Sequence, residues 1–162
     1  EGGTLDAAVM SEPRHIHNGL NWLPFYEEEL VLLASPEVVE DDPLLILEKM
    51  PYLRHTRQSA VGMMAEEWLA KNNIRVHDLM EMGSLENLPS MVAQGLGVAI
   101  GPNIYVPDPS FEQLRKISLG PSALRRTLGI LTRSDCSKLK LLEPLLAQIK
   151  LTIADSEGQT KL

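Results

Sequence analysis

The chain has 162 residues, 44% of them hydrophobic and 23% charged, a globular composition with room for one ordinary domain or two small lobes. No run approaches the roughly 18 apolar residues of a membrane span, so no membrane partner is expected. The net charge of −7, with arginines scattered at Arg14, Arg54, Arg57, Arg115, Arg125 and Arg126, excludes the clustered basic face that grips duplex DNA.

In chain order, Leu5–Met10 is a nearly continuous apolar run, which predicts a strand buried on both faces. Leu20–Phe25 and Leu30–Ala34 read as two further strands, the second ended by Ser35-Pro36. Asp42-Pro43 supplies an N-cap and a first-position proline for a short helix, Leu44–Met50, closed by Pro51. Tyr52–His55 is the next strand. After Ser59, the positions Val61, Met64, Ala65, Trp68 and Leu69 form one helical stripe, with Glu66 and Glu67 on a solvated face and Asn72-Asn73 as the stop. Ile74–Met82 is a strand. Ser84 can cap a helix through Leu88 and Val92, but Pro89 leaves two starts open: a loosened first turn, or Asn87 as the cap. Gly95 ends that helix and Leu96–Ile100 is a buried strand. A turn-rich stretch at Pro107–Ser110 precedes strands Leu114–Leu119 and Thr127–Thr132, which flank Gly120-Pro121. A last helix, Lys138–Ile153, turns Leu139, Leu142, Leu146, Ile149 and Ile153 inward, with Pro144 either kinking it or marking its first turn. Asp155–Leu162 is a polar, frayed tail. This alternation predicts an α/β fold with a mostly parallel sheet. Leu5–Met10 lacks preceding chain to cover it, so the fold is expected to be incomplete at its N-terminus.

The chemical motifs are sparse. Gly95-Leu96-Gly97 follows a helix and precedes a strand, the reverse of the strand–loop–helix context of a dinucleotide site. His15-Ile16-His17 offers two metal ligands without a third, so no metal is expected, and His77 reads as a structural histidine in a strand. Glu27-Glu28-Glu29 and Glu40-Asp41-Asp42 read as surface charge. The single cysteine, Cys136, excludes an internal disulfide, has no nucleophile partner nearby, and fits a reducing, cytoplasmic compartment. No catalytic constellation and no cofactor motif is present, so the chain reads as a binding module rather than an enzyme. The features that point to a ligand are two helix starts, at Ser59 and Ser84, each just past a strand end. There, free N–H groups favour anions. His55-Thr56-Arg57-Gln58-Ser59 adds hydroxyls and a cation to the first.

Read together, four segments resemble the effector-binding domain of LysR-type bacterial transcription regulators. Gly3-Thr4-Leu5-Asp6-Ala7-Ala8-Val9 is similar to the family's first-lobe strand, and Tyr26–Pro36 followed by Asp42-Pro43-Leu44 to its crossover strand. Met91–Pro102, with Ala93-Gln94-Gly95-Leu96-Gly97, is the most specific match, and Arg126–Arg133 resembles the returning strand. The resemblance implies a two-lobed, type II periplasmic-binding-protein-like fold that lacks its first strand–helix–strand segment. One partial lobe is expected from residues 1–34 plus 120–153, the other from 35–119, with 154–162 a tail. It also implies a small organic effector in the cleft and a homo-oligomeric parent protein, and the helix starts, with Arg57, would suit an effector that carries a carboxylate. DNA would be bound only through an absent winged helix-turn-helix. The expected effector residues are Thr56, Arg57, Ser59, Ser84, Leu85 and Pro102 on one lobe and Ser11 on the other. A fragment of an extracytoplasmic solute-binding protein of the same fold is the alternative.

Overall fold

A computed structural model describes residues 5–84, 87–104, 109–136 and 139–159. The chain divides into two compact units, 1–28 with 126–162, and 29–125. The divisions fall at Glu29 and Arg125 rather than at Ser35 and Gly120. The reason is visible in the strands: the proline-bearing dipeptides end elements inside the 29–125 unit, while the unit changes in mid-strand.

In the discontinuous unit, β1 (Ala7–Ser11) pairs antiparallel with the returning strand β7 (Arg125–Arg133), Ala7 opposite Thr132 and Ser11 opposite Leu128. β7 in turn neighbours the crossover strand β2 (Leu20–Ala34). Gly129 permits this, because a Cβ there would run into the Trp22 ring and the Leu23 carbonyl. The Thr132 hydroxyl, buried, donates to the Asp6 carbonyl at 3.0 Å. β1 is not the doubly buried central strand that its composition suggests. Val9 is 62% exposed and Leu5 71%, since among the described residues only β7 lies beside it. The C-terminal helix α5 (Leu139–Gln159) keeps Leu142, Leu146, Ile149 and Ile153 as its least exposed leucines and isoleucines. It continues past Ile153, so the expected tail is helical to Gln159.

The contiguous unit takes in the second half of β2, then α1 (Pro43–Lys49), β3 (Pro51–His55), α2 (Ala60–Lys71), β4 (His77–Met82), α3 (Leu88–Ala93) and β5 (Ala99–Pro102). The one-turn helix α4 (Pro109–Glu112) and β6 (Arg115–Ser118) complete it. β2 pairs antiparallel with β5 on one side and β6 on the other, while β3 pairs parallel with β4. A parallel bridge between Tyr52 and Val98 ties β3 to the start of β5. β6, β2 and β5 are neighbours in one sheet, β3 and β4 form a two-stranded sheet joined to it by that bridge, and the pairing is mixed rather than mostly parallel. β2 enters from the other unit and runs antiparallel to both β5 and β6.

β2 alternates with both faces apolar, as a central strand must. Leu30, Leu32 and Ala34 share a core with Ile46, Leu47, Val61, Trp68 and Ile100, while Val31 and Leu33 meet Leu88, Val92, Phe111 and Leu114 on the other face. The two expected strands of β2 are one strand of 15 residues, because Tyr26–Glu29 stay extended. Asp42 caps α1, its carboxylate accepting from the Leu44 amide at 2.9 Å. Asn87, not Ser84, stands at the cap position of α3, with Pro89 in the first turn. The turn-rich stretch closes into α4 from Pro109 on, Pro107 and Asp108 lying outside the described residues.

Candidate functional site

Because β3, β4 and β5 run parallel, their C-terminal ends share one edge of the 29–125 unit, and the loops that follow them build the candidate site. The loop after β3 is held tightly. The Thr56 amide donates to the Met82 carbonyl at 2.8 Å, fastening it to the end of β4. The Ser59 hydroxyl donates to the Thr56 carbonyl at 2.8 Å and accepts from the Gly62 amide at 2.9 Å, which caps α2. With its one proton so directed, that oxygen also accepts from Nδ1 of His55, a buried histidine. Gly62 is required here, since a Cβ would overlap the Thr56 carbonyl oxygen. Ser59 is thus spent on the cap. Ahead of Gly62, the Ala60 and Val61 amides have no partner among the described residues, leaving them as the donors an anion would meet.

Arg57 does not turn inward. It is half-exposed, with Nη1 on Glu81 Oε2 at 3.1 Å and contacts of 3.5 Å to Glu66 and Asp78. Beneath it, Arg54 is buried: Nε donates to Asp78 Oδ1 at 2.8 Å, Nη1 pairs with Glu66, and the guanidinium stands 5.1 Å over the Tyr52 ring. Glu66 is therefore an ion-pair partner of a buried arginine, not a solvated helix residue. Burial also pushes the Tyr52 hydroxyl up to about 12, a shift that Arg54 opposes. Ser84 is half-buried just past β4, three residues before the α3 cap position, so it does not begin a helix. Pro102 is buried at the end of β5, opposite Leu30. Leu85 lies outside the described residues. Ser11, half-buried, ends β1 in the other unit. Thr56, Ser59, Ser84 and Pro102 thus sit at one edge, with Arg57 directed away into carboxylates.

The sequence reading missed three polar groups. Arg54 and His55 lie in an apolar strand, where a buried polar side chain must find a partner, and that conflict was the available signal. Glu28, expected at the surface, is 4% exposed and pairs with Arg126. Desolvation holds its carboxyl above the ordinary value although Arg126 pulls the other way. Strand alternation gives Glu28 the face opposite to Glu27 and Glu29, but a partner so distant in sequence leaves no local trace. His77, read as structural, is exposed on β4. Among the described residues no three His, Cys, Asp or Glu side chains gather to hold a metal, and no helix is long and apolar enough to cross a membrane.

Solved structures with the same fold include a Corynebacterium glutamicum OxyR C206 mutant, 19% identical with a TM-score of 0.74 over 97% of this chain. The match covers 51% of that chain, so the present chain spans about half its length. The CcmR regulatory domain of Synechocystis PCC6803, in complex with 2-PG, is 17% identical with a TM-score of 0.72, covering 91% of this chain and 73% of that one. The effector binding domain of QuiR, in complex with shikimate, is 17% identical with a TM-score of 0.66, covering 80% and 63%. The fold is thus the two-lobed, periplasmic-binding-protein-like α/β class. No curated protein matches the chain. The model of the LysR substrate binding domain matches residues 1–152, and the chain belongs to that family.

Proposed function

We propose that this chain is the effector-sensing and oligomerisation domain of a cytoplasmic, homo-oligomeric bacterial LysR-type regulator. It would couple a small organic effector to DNA binding by a winged helix-turn-helix elsewhere in the parent protein. Its role is sensing, not catalysis. The observation that carries this reading is the family match along residues 1–152. The effector is a small organic acid. Relatives of this fold are described with 2-PG and with shikimate, the latter a carboxylate, and the α2 N-terminus offers the Ala60 and Val61 amides where negative charge is favoured. Thr56, Ser59, Ser84 and Pro102 would frame the acid at that edge, with Leu85 and Ser11 added on the sequence reading. Arg57 would contribute only by exchanging Glu81 for the ligand, which makes it a gate on affinity rather than a fixed contact.

A thermal-shift screen of metabolite carboxylic acids tests this on the intact regulator, repeated with Thr56→Val, Ser84→Ala and Arg57→Ala. An acid that stabilises the parent should lose most of its shift with Thr56→Val and Ser84→Ala. Equal stabilisation of the parent and all three variants would sink the assignment of these residues.

A further inference from the structure

The opposite edge of the 29–125 unit carries a separate cavity of about 430 Å³, between the loop leaving β2, the helix α1 and the turn after α3. Its loop wall is fixed. Arg115, from β6, donates to the carbonyls of Val38 and of Glu40, the latter at 3.0 Å, and pairs with the Asp41 carboxylate. The Glu40 carboxylate turns back to accept from the amides of Asp41 and Asp42 at 2.9 and 3.0 Å, and Asp42 caps α1. The walls are apolar: Val38 from the loop and Leu45, Ile46 and Met50 from α1 and its end. Besides Glu40, the lining carries the exposed carboxylate of Glu37 and the exposed ammonium of Lys49. Among the described residues neither enters a salt bridge, whereas Asp41 pairs with Arg115 and Glu40, still charged, has its Oε1 held back by two backbone amides.

We infer that this cavity is a second ligand site, and that its ligand is an apolar α-amino acid. The volume falls in the small-molecule range of roughly 300–1,000 Å³. The chemistry follows from the side chains at the lining: the Glu37 carboxylate for an ammonium, the Lys49 ammonium for a carboxylate, and apolar walls for a branched or aromatic side chain, with Glu40 turned back onto its own loop amides. A simple amine would leave Lys49 beside a bound cation, and a simple acid would leave Glu37 beside a bound anion. The site is independent of the effector reading, since none of its lining residues lies at the edge that holds Thr56, Ser59 and Pro102.

The probe is L-phenylalanine, titrated into the ¹⁵N-labelled chain with phenethylamine and 3-phenylpropionate as single-charge analogues. Amide resonances of Val38, Val39, Lys49 and Gly95 should move on titration. Each analogue, and each of Glu37→Gln and Lys49→Met, should weaken binding about tenfold, the loss of one charge-assisted contact. Both substitutions are at exposed positions, and the same spectra report that the variants are folded. The inference is overturned if those amides stay still at millimolar phenylalanine. It is equally overturned if an analogue binds as tightly, if both variants bind unchanged, or if the shifts are confined to Thr56, Ser59 and Ser84.

Discussion

Glu28 and Arg126 face each other from β2 and β7, within the same unit and next to both points where the chain crosses to the other. The two partners are unequally buried, 4% against 14% side-chain exposure, and this decides which loss matters. Arg126→Met strands a buried carboxylate and should cost about 3 kcal/mol at neutral pH. Glu28→Gln leaves a partly hydrated guanidinium and should cost far less, and the double variant should recover most of the Arg126→Met deficit. The sign with pH follows from the raised carboxyl. The native state holds that proton more tightly than the unfolded chain, so the stability it contributes falls as pH rises from the ordinary glutamate value through the native one. The Arg126→Met deficit should accordingly shrink in acid, when the stranded carboxyl is neutral. Urea unfolding at neutral and acidic pH measures this, and equal costs for the two single variants would show that burial asymmetry does not govern the pair. A buried ion pair of this kind cannot be read from a triple glutamate, because its defining fact is a partner on a strand far along the chain.

Helix starts were the most legible elements. Asp42 and Ser59 each stand where a short polar side chain can reach an orphan amide, and both do so. α3 was legible only as alternatives, because Pro89 competes with any upstream cap. Asn87 takes the cap position in a helical backbone conformation and makes no side-chain cap bond. The two caps should therefore differ. Ser59→Ala is expected to lower stability by about 1 kcal/mol, Asn87→Ala by no more than a few tenths. Thermal unfolding of the two variants checks this, and comparable losses would mean that the Ser59 hydroxyl bonds are of little consequence. Strand ends were harder to read. Tyr26–Glu29 has the composition of a connection, yet β2 continues through it, with pairings to β7, β5 and β6 along its length. The apolar run of β1 predicts burial on both faces, but burial depends on neighbours that a run of residues does not specify.

At the level of the whole chain, the α/β class and the two-unit division were legible from the order of segments, and the positions of the divisions were not. The two apolar core clusters lie in the 29–125 unit. Among its described residues the other unit holds few buried hydrophobics, chiefly Ile130 and Leu142. Native-state hydrogen exchange should reflect this: amides of Leu30–Leu33 and of β3 and β5 exchange slowest, and those of β1 orders of magnitude faster. Uniform protection through both units would contradict it. Of the candidate site, the edge was legible through Ser59 and Thr56, while the direction of Arg57 was not. Glu66, Asp78 and Glu81 reach it only once α2 and β4 are folded beside β3.

The pairing of β1 with β7 has a consequence for the order of events during synthesis. Ala7 finds its β7 partner at Thr132, so β1 leaves the ribosome long before β7 exists for it to pair with. The 29–125 unit is contiguous and can condense as soon as Arg125 has emerged, whereas the other must wait for the chain beyond it. Through that interval the edge of β1 that will meet β7, the strand carrying Val9 and Met10, waits without its partner. A nascent chain stalled before β7 would carry a folded 29–125 unit and an open edge of β1, the kind of unpaired edge on which holdase chaperones act.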